Sequence, residues 1–304
     1  MKPCQLIIQQ SGPLSGRVRI AGAKNAALKI LAATLLTEKP CIISNLPHLH
    51  DLTFMLELLT DLGCHLTLLK NDTVSLSATN LSELTIPYEL VKKMRASIVV
   101  LGPLLAAYGH ANVALPGGCA IGSRPVDIHL EGFKAMGAEI ELENGFIKAR
   151  VKGKLKAADI RMHTVTVTGT ENLMMAATLA DGVTNLYNAA CEPEIIDLAN
   201  FLNKMGAKIE GAGTPHIVIQ GVDTLHGTDH QVIADRIEAG TFLMAGAMTH
   251  GKITIDGIAP AIIKNTLEVL TQAGAQIQEA GETIHLNMEG KTLRAVSVTT
   301  APVS

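Results

Sequence analysis

Apolar positions along the chain recur in one phrase that is used four times. A helical stripe of Leu, Ile, Val and Met ends in Gly, then comes a small or polar residue and an alternating strand. The phrase reads LLTDLGCHLTLL around Gly63, FKAMGAEIEL around Gly137, FLNKMGAKIEG around Gly206 and VLTQAGAQIQE around Gly274, a period of about seventy residues. Each Gly is placed as a left-handed helix stop. In the third copy Ile195, Leu198, Ala199 and Leu202 mark one helix face. Ala207 to Glu210, the turn GAGTP and HIVIQ then predict a hairpin. A second apolar helix with a following strand lies earlier in each copy, as in NAALKILAATLLTEKPCIISNL and ENLMMAATLADGVTNLYNAA. The predicted unit is βαβαββ, and the fold class is α/β. A unit of this size is too large for short-period solenoids, so the copies are expected to pack around one another as pseudo-symmetric globular domains.

Composition narrows the function classes. The 304 residues are 47% hydrophobic, which supplies ample core for one or two domains. Lys and Arg number 25 against 28 Asp and Glu, so no global basic field exists to hold nucleic acid or an anionic membrane. Any anion site must be local. With no Trp, 3 Tyr and 5 Phe, base-stacking or sugar-stacking platforms are not expected and the core must be aliphatic. The five cysteines form no CxxC pair, and their odd number fits a reducing cytosol better than a disulfide framework. The apolar stretch Leu6 to Ile8 falls far short of a signal or membrane segment. A cytoplasmic location without a membrane span is therefore expected.

The sharpest local motif is PGGCAIGSRPVD, Pro116 to Asp127. Its glycines let backbone amides approach a ligand, Cys119 adds a thiol, and Arg124 adds a guanidinium suited to carboxylate or phosphate. It reads as an active-site lid; by itself it is equally a Gly-rich connector with an incidental Cys. Cys41, Cys64 and Cys191 sit in apolar contexts and read as core. A strand over Arg17 to Ile20 is joined by GAKNAA to a helix over Ala26 to Leu36, which places Lys24 and Asn25 at a helix N-terminus, where free amides favour an anion. Alone, Asn25 is as well an N-cap and Lys24 a solvated charge. Arg95 opens a helix in the second copy, and Asp235, Arg236 and Glu238 open one in the fourth. Basic residues at positive helix ends in three copies suggest anionic ligands. Gly246 to Lys252 is not a P-loop, because Ile253 replaces the required Ser or Thr and the local order is helix, turn, strand. His48, His50, Cys64 and His65 lack zinc-ligand spacing, and no metal is expected.

Taken together, GAKNAAL, MRAS, PGGCAIGSRPVD, AATLA, EPEIID and DRIEAGTF resemble, in order and spacing, the enolpyruvyl transferases. The likeness is to the branch that acts on UDP-N-acetylglucosamine in the first committed step of bacterial peptidoglycan synthesis. The shikimate branch shares the fold but lacks the Cys loop. The resemblance implies an inside-out α/β barrel of six such units, three per domain, with no metal or organic cofactor. By that pattern residues 26–233 form a complete first domain, and residues 1–25 with 234–304 form an incomplete second one, so the chain resembles a member truncated at its C-terminus.

The resemblance further implies phosphoenolpyruvate and UDP-N-acetylglucosamine as substrates. Cys119 is then the proton donor and the residue labelled by fosfomycin. Lys24, Asn25 and Arg124 contact phosphoenolpyruvate. Arg95, Arg124, Pro125, Val126, Asp127, Ile128, Thr164, Val165, Thr166 and Val167 hold the UDP-sugar. The family's catalytic base falls beyond residue 304, so little turnover is expected of this form, and a non-catalytic UDP-sugar-binding remnant is the alternative. A complete chain is expected to be monomeric and a truncated one to self-associate, because Leu243, Met244, Ile262, Leu267 and Leu270 would lose neighbours.

Overall fold

A computed structural model of the chain describes residues 7, 9, 12–79, 81, 84–93, 95–115 and 126–299, with the backbone alone at 92, 93 and 95–97. The described residues divide into two compact units. One runs from Gly22 to Ile233; the other joins the residues up to Ala21 with those from Ala234.

Strand β1 (Ser15–Arg19) comes first in the chain. The first repeat then holds α1 (Lys24–Ala33) with a 3-10 turn to Leu36, β2 (Cys41–Ser44), α2 (His50–Asp61), β3 (His65–Leu68) and β4 (Val74–Ser77). The second holds β5 (Thr85–Ile86), α3 (Tyr88–Lys93), a 3-10 helix (Arg95–Val100), α4 (Leu101–Tyr108), β6 (His110–Ala114), α5 (Asp127–Ala135), β7 (Glu139–Glu143) and β8 (Phe146–Arg150). The third holds β9 (Asp159–Arg161), α6 (Val167–Ala177), β10 (Val183–Tyr187), α7 (Pro193–Lys204), β11 (Lys208–Glu210) and β12 (His216–Gln220). After β13 (Asp229–Gln231), the fourth holds α8 (Arg236–Met248), β14 (Lys252–Asp256), α9 (Lys264–Gln272), β15 (Gln276–Ala280) and β16 (Thr283–Asn287).

Four sheets repeat one pattern: β13-β2-β4-β3, β5-β6-β8-β7, β9-β10-β12-β11 and β1-β14-β16-β15. In each order as written, the first pair is parallel and the third strand runs antiparallel between its two neighbours. The four predicted helix stops take positive φ, at 105° for Gly63, 88° for Gly137, 102° for Gly206 and 105° for Gly274. A side chain would be strained at these positions, which is why the sequence keeps Gly there.

One connection cannot be read from periodicity alone. The strand before α1 does not lead the first repeat, because β1 pairs in parallel with β14, Ser15 opposite Lys252, in the other unit's sheet. The leading strand of the first repeat is β13, drawn from the far end of the unit, with Asp229 opposite Ile42. Three repeats thereby close on themselves. The helix also starts at Lys24, two residues earlier than the periodicity suggested, so Lys24 and Asn25 form its first turn.

Helices fill the middle of the Gly22–Ile233 unit. α1 is buried from Ala26 to Ala33, and α6 from Gly169 to Ala177. Their small residues allow close approach, and Leu, Ile and Met fill the gaps in the absence of Trp. The other unit has its own core, in which Leu243, Leu267 and Leu270 are buried with Ile255, Ile284 and Leu286. This corrects the expectation that these three leucines lose their neighbours: their own four-stranded sheet covers them. Ile262 is half-buried against the same core, whereas Met244 on the outer face of α8 is 48% exposed. No helix among the described residues is long and apolar enough to cross a membrane.

Candidate functional site

Strand direction fixes where the helices begin. In the third repeat β9 and β10 are parallel and β11 runs with them, since both β10 and β11 are antiparallel to β12. Each intervening helix therefore starts at the C-terminal ends of the parallel strands, the edge where open α/β sheets bind ligands. Helix N-termini carry unpaired amides and a partial positive charge, which favour anions. Neither α1, preceded by Ala23, nor α5, preceded by Val126, has a side-chain cap.

Lys24 is half-buried in the first turn of α1, and its Nζ lies 3.1 Å from Asp51 Oδ2 in the first turn of α2. Asn25 beside it is exposed. Asp51 was not foreseen. It is an acidic residue at a helix start, a position that by itself signals only favourable dipole alignment.

The segments 126–128 and 164–167 come together. His163 bridges them, with Nε2 3.5 Å from Asp127 Oδ2 and Nδ1 3.2 Å from Thr164 Oγ1. Thr166 caps α6 by accepting the Gly169 N–H at 3.2 Å. Val165 is exposed, Val167 is half-buried in the first turn of α6, and Ile128 is buried. Ile128 can thus present only its backbone. Beside Thr164 a cleft of about 550 Å³ opens at the ends of β9 and β10, lined by Arg161, His163, Tyr187, Asn188 and His216 among others. Tyr187 stacks on His216 at 4.5 Å between ring centroids, and the Arg161 guanidinium sits 4.8 Å from the Tyr187 ring centroid. Arg95 begins the 3-10 helix of the second repeat. Cys119, Arg124 and Pro125 lie outside the described residues.

A larger cavity of about 980 Å³ lies between α2 and the β3–β4 hairpin. Its wall is rich in Leu and carries Glu57, Asp61 and Asp72 but neither Lys nor Arg. Electrostatics favour the helix N-termini for an anionic ligand.

Beneath the site lie buried polar groups. Glu171 on α6 is fully buried, 3.1 Å from Lys29 on α1 and without hydrogen-bond geometry to it. Burial raises its carboxyl to about 7; Lys29 pulls it down, and Glu194 and Glu192 push it up. His129 on α5 is lowered to about 4 by burial, against the opposing pull of Asp127. Their signal in the sequence was a polar residue inside an otherwise apolar helix, as in AALKIL and TENLMM. Cys41, Cys64 and Cys191 are buried, and burial raises all three thiols, Cys64 to about 12. No group of three or more His, Cys, Asp or Glu placed to hold a metal ion occurs among the described residues.

The model of the EPSP synthase (3-phosphoshikimate 1-carboxyvinyltransferase) family matches residues 8–304. The chain belongs to this family. It is 54% identical over 298 residues to UDP-N-acetylglucosamine 1-carboxyvinyltransferase of Coxiella burnetii (strain Dugway 5J108-111), covering 98% of this chain and 69% of that protein. The identity is 53% to the protein of the same name from Halorhodospira halophila (strain DSM 244 / SL1), covering 98% and 71%. Among solved structures, the enolpyruvyl transferase NikO from Streptomyces tendae superposes with a TM-score of 0.82 at 23% identity, covering 96% of this chain and 69% of that one. EPSP synthase from Acinetobacter baumannii gives 0.71 at 19%, covering 96% and 68%. These two show that the fold is that of the enolpyruvyl transferases.

Proposed function

We propose that the chain transfers the enolpyruvyl group of phosphoenolpyruvate to the 3-hydroxyl of UDP-N-acetylglucosamine, in the cytoplasm and as a step of peptidoglycan synthesis. What carries this reading is its 54% identity, over nearly its whole length, to proteins named for that transfer. The clustering of the α5 and α6 N-termini around His163 supports it, since a nucleotide diphosphate is an anion that such ends attract.

The hydroxyl oxygen gives its proton to a base and adds to C2 of phosphoenolpyruvate while C3 takes a proton; a C3 proton is then lost as the C2–O bond to phosphate breaks, so that the C2=C3 double bond re-forms and phosphate departs. Cys119 supplies the proton to C3, a role open to a thiol with a pKa of about 8.5, which is largely protonated near neutrality. Lys24, which pairs with Asp51, holds phosphoenolpyruvate together with Asn25 and Arg124. Arg95, Arg124, Pro125, Val126, Asp127, Ile128, Thr164, Val165, Thr166 and Val167 hold the UDP-sugar, Ile128 through its backbone. Residues 26–233 act as the nucleotide-sugar domain, and 1–25 with 234–304 belong to the second.

The test is phosphate release from phosphoenolpyruvate with each acceptor. Any release is expected with UDP-N-acetylglucosamine and none with shikimate 3-phosphate. The reverse preference overturns the substrate assignment. Calorimetric binding of the nucleotide sugar with no phosphate released selects the alternative, UDP-sugar binding without turnover.

A further inference from the structure

Gly102 N–H and Ile98 C=O are the pair that a continuous α-helix would join, four residues apart. Both turn instead to one side chain. The Asn172 carboxamide accepts the Gly102 N–H at its Oδ1 (2.8 Å) and donates from Nδ2 to Ile98 O (3.0 Å). It sits where the 3-10 helix of Arg95–Val100 passes into α4. A side chain inserted into a helical ladder bends the helix at that point. Gly102 makes room for it, since a Cβ there would stand 2.4 Å from Asn172 Oδ1.

The remaining Nδ2 hydrogen is directed at His129 Nδ1, 3.0 Å away. For Nδ1 to accept, the ring must be neutral with its proton on Nε2. Burial favours the neutral form. Asn172 is fully buried and His129 nearly so, so this geometry is isolated from water. The three elements that meet at the carboxamide are the segment opened by Arg95, helix α5 behind Val126–Ile128, and helix α6 behind Thr164–Val167. These are the three segments assigned to the nucleotide sugar.

We propose that Asn172, oriented by His129, is a positioning residue for the nucleotide-sugar site: its carboxamide sets the direction of the segment that begins at Arg95 relative to the N-termini of α5 and α6. This rests on the functional reading given above. Both side chains are buried, so they act on the site through the segments they hold and not by contact. Without the carboxamide, Gly102 and Ile98 bond to each other, the helix straightens, and Arg95 leaves its place.

The experiment is calorimetric titration of the whole chain with UDP-N-acetylglucosamine, alongside thermal melting. Asn172→Ala and His129→Leu are each expected to weaken affinity about tenfold, and His129→Gln, which keeps an acceptor, to stay within about twofold of the parent. His230→Leu is the control for lost stability, because it breaks a buried pair with Asp197 elsewhere in the same unit. It is expected to lower the melting temperature and leave affinity unchanged. Parental affinity in Asn172→Ala, or a loss in His230→Leu as large as that in His129→Leu, overturns the proposal alone. Absence of binding by the parent chain overturns the functional reading and the proposal with it.

Discussion

Replacing Lys29 by Met removes the ammonium that faces Glu171 and leaves the carboxyl fully buried beside the α1–α6 contact. The folded value of Glu171, about 7, stands above its ordinary 4.5. The fold therefore binds a proton that the unfolded chain has released between these values, and the parent loses stability as pH climbs from about 4.5 to 7. The shift amounts to roughly 3 kcal/mol above pH 7. In Lys29→Met the downward pull is gone, so the decline continues past pH 7. A buried carboxyl that has lost its cation takes up a proton instead of staying charged. At pH 5 Glu171 is protonated in both proteins, and the substitution is expected to cost under about 1 kcal/mol, since Met fits an apolar helix contact. At pH 8 the extra loss is limited to roughly 1.4 kcal/mol, the one pH unit beyond about 7, so the melting temperature is expected to fall there by roughly 3–6 °C more than at pH 5, given about 2–4 °C per kcal/mol for a unit of this size. Circular dichroism melts at pH 5 and pH 8 measure the difference. Lys29→Met combined with Glu171→Leu is expected to recover most of the loss at pH 8. An equal loss at the two pH values, or none at pH 8, refutes the reasoning.

Thr166→Val removes the acceptor for the Gly169 N–H while keeping the shape of the side chain. It is expected to cost about 1 kcal/mol in chemical unfolding and to weaken UDP-N-acetylglucosamine binding, whereas Thr166→Ser keeps both; parental stability in the Val variant would show the cap to be idle. In the native chain fosfomycin is expected to modify Cys119, while Cys41, Cys64 and Cys191 stay unmodified because burial keeps their thiols protonated and out of reach. Peptide mass spectrometry that finds adducts on those three, with Cys119 spared, would defeat the assignment.

The fold was legible because its signals are local. Gly63, Gly137, Gly206 and Gly274 punctuate the repeat by backbone necessity, and the hairpin of Lys208–Glu210 with His216–Gln220 followed from alternation and turn residues. What stayed hidden was pairing between distant strands. Nothing in SGRVR says that Ser15 lies opposite Lys252, or that Asp229 closes the first repeat's sheet. Periodicity reports which side is buried and not which strand is adjacent. At the site, Lys24 and Thr166 were visible as residues at helix starts. The partners Asp51 and His163 were not, since each depends on a neighbouring element. Asn172 was visible only as a polar residue in a buried helix, and its insertion between Ile98 and Gly102 required the packing of α6 on α4.

Amide hydrogen exchange of the chain with and without saturating UDP-N-acetylglucosamine tests the location of the site most directly. Protection is expected in peptides covering 126–130 and 163–170, where the α5 and α6 N-termini meet at His163. Protection confined to peptides covering 46–74, which line the larger cavity beside α2, with 126–130 and 163–170 unchanged, would contradict it.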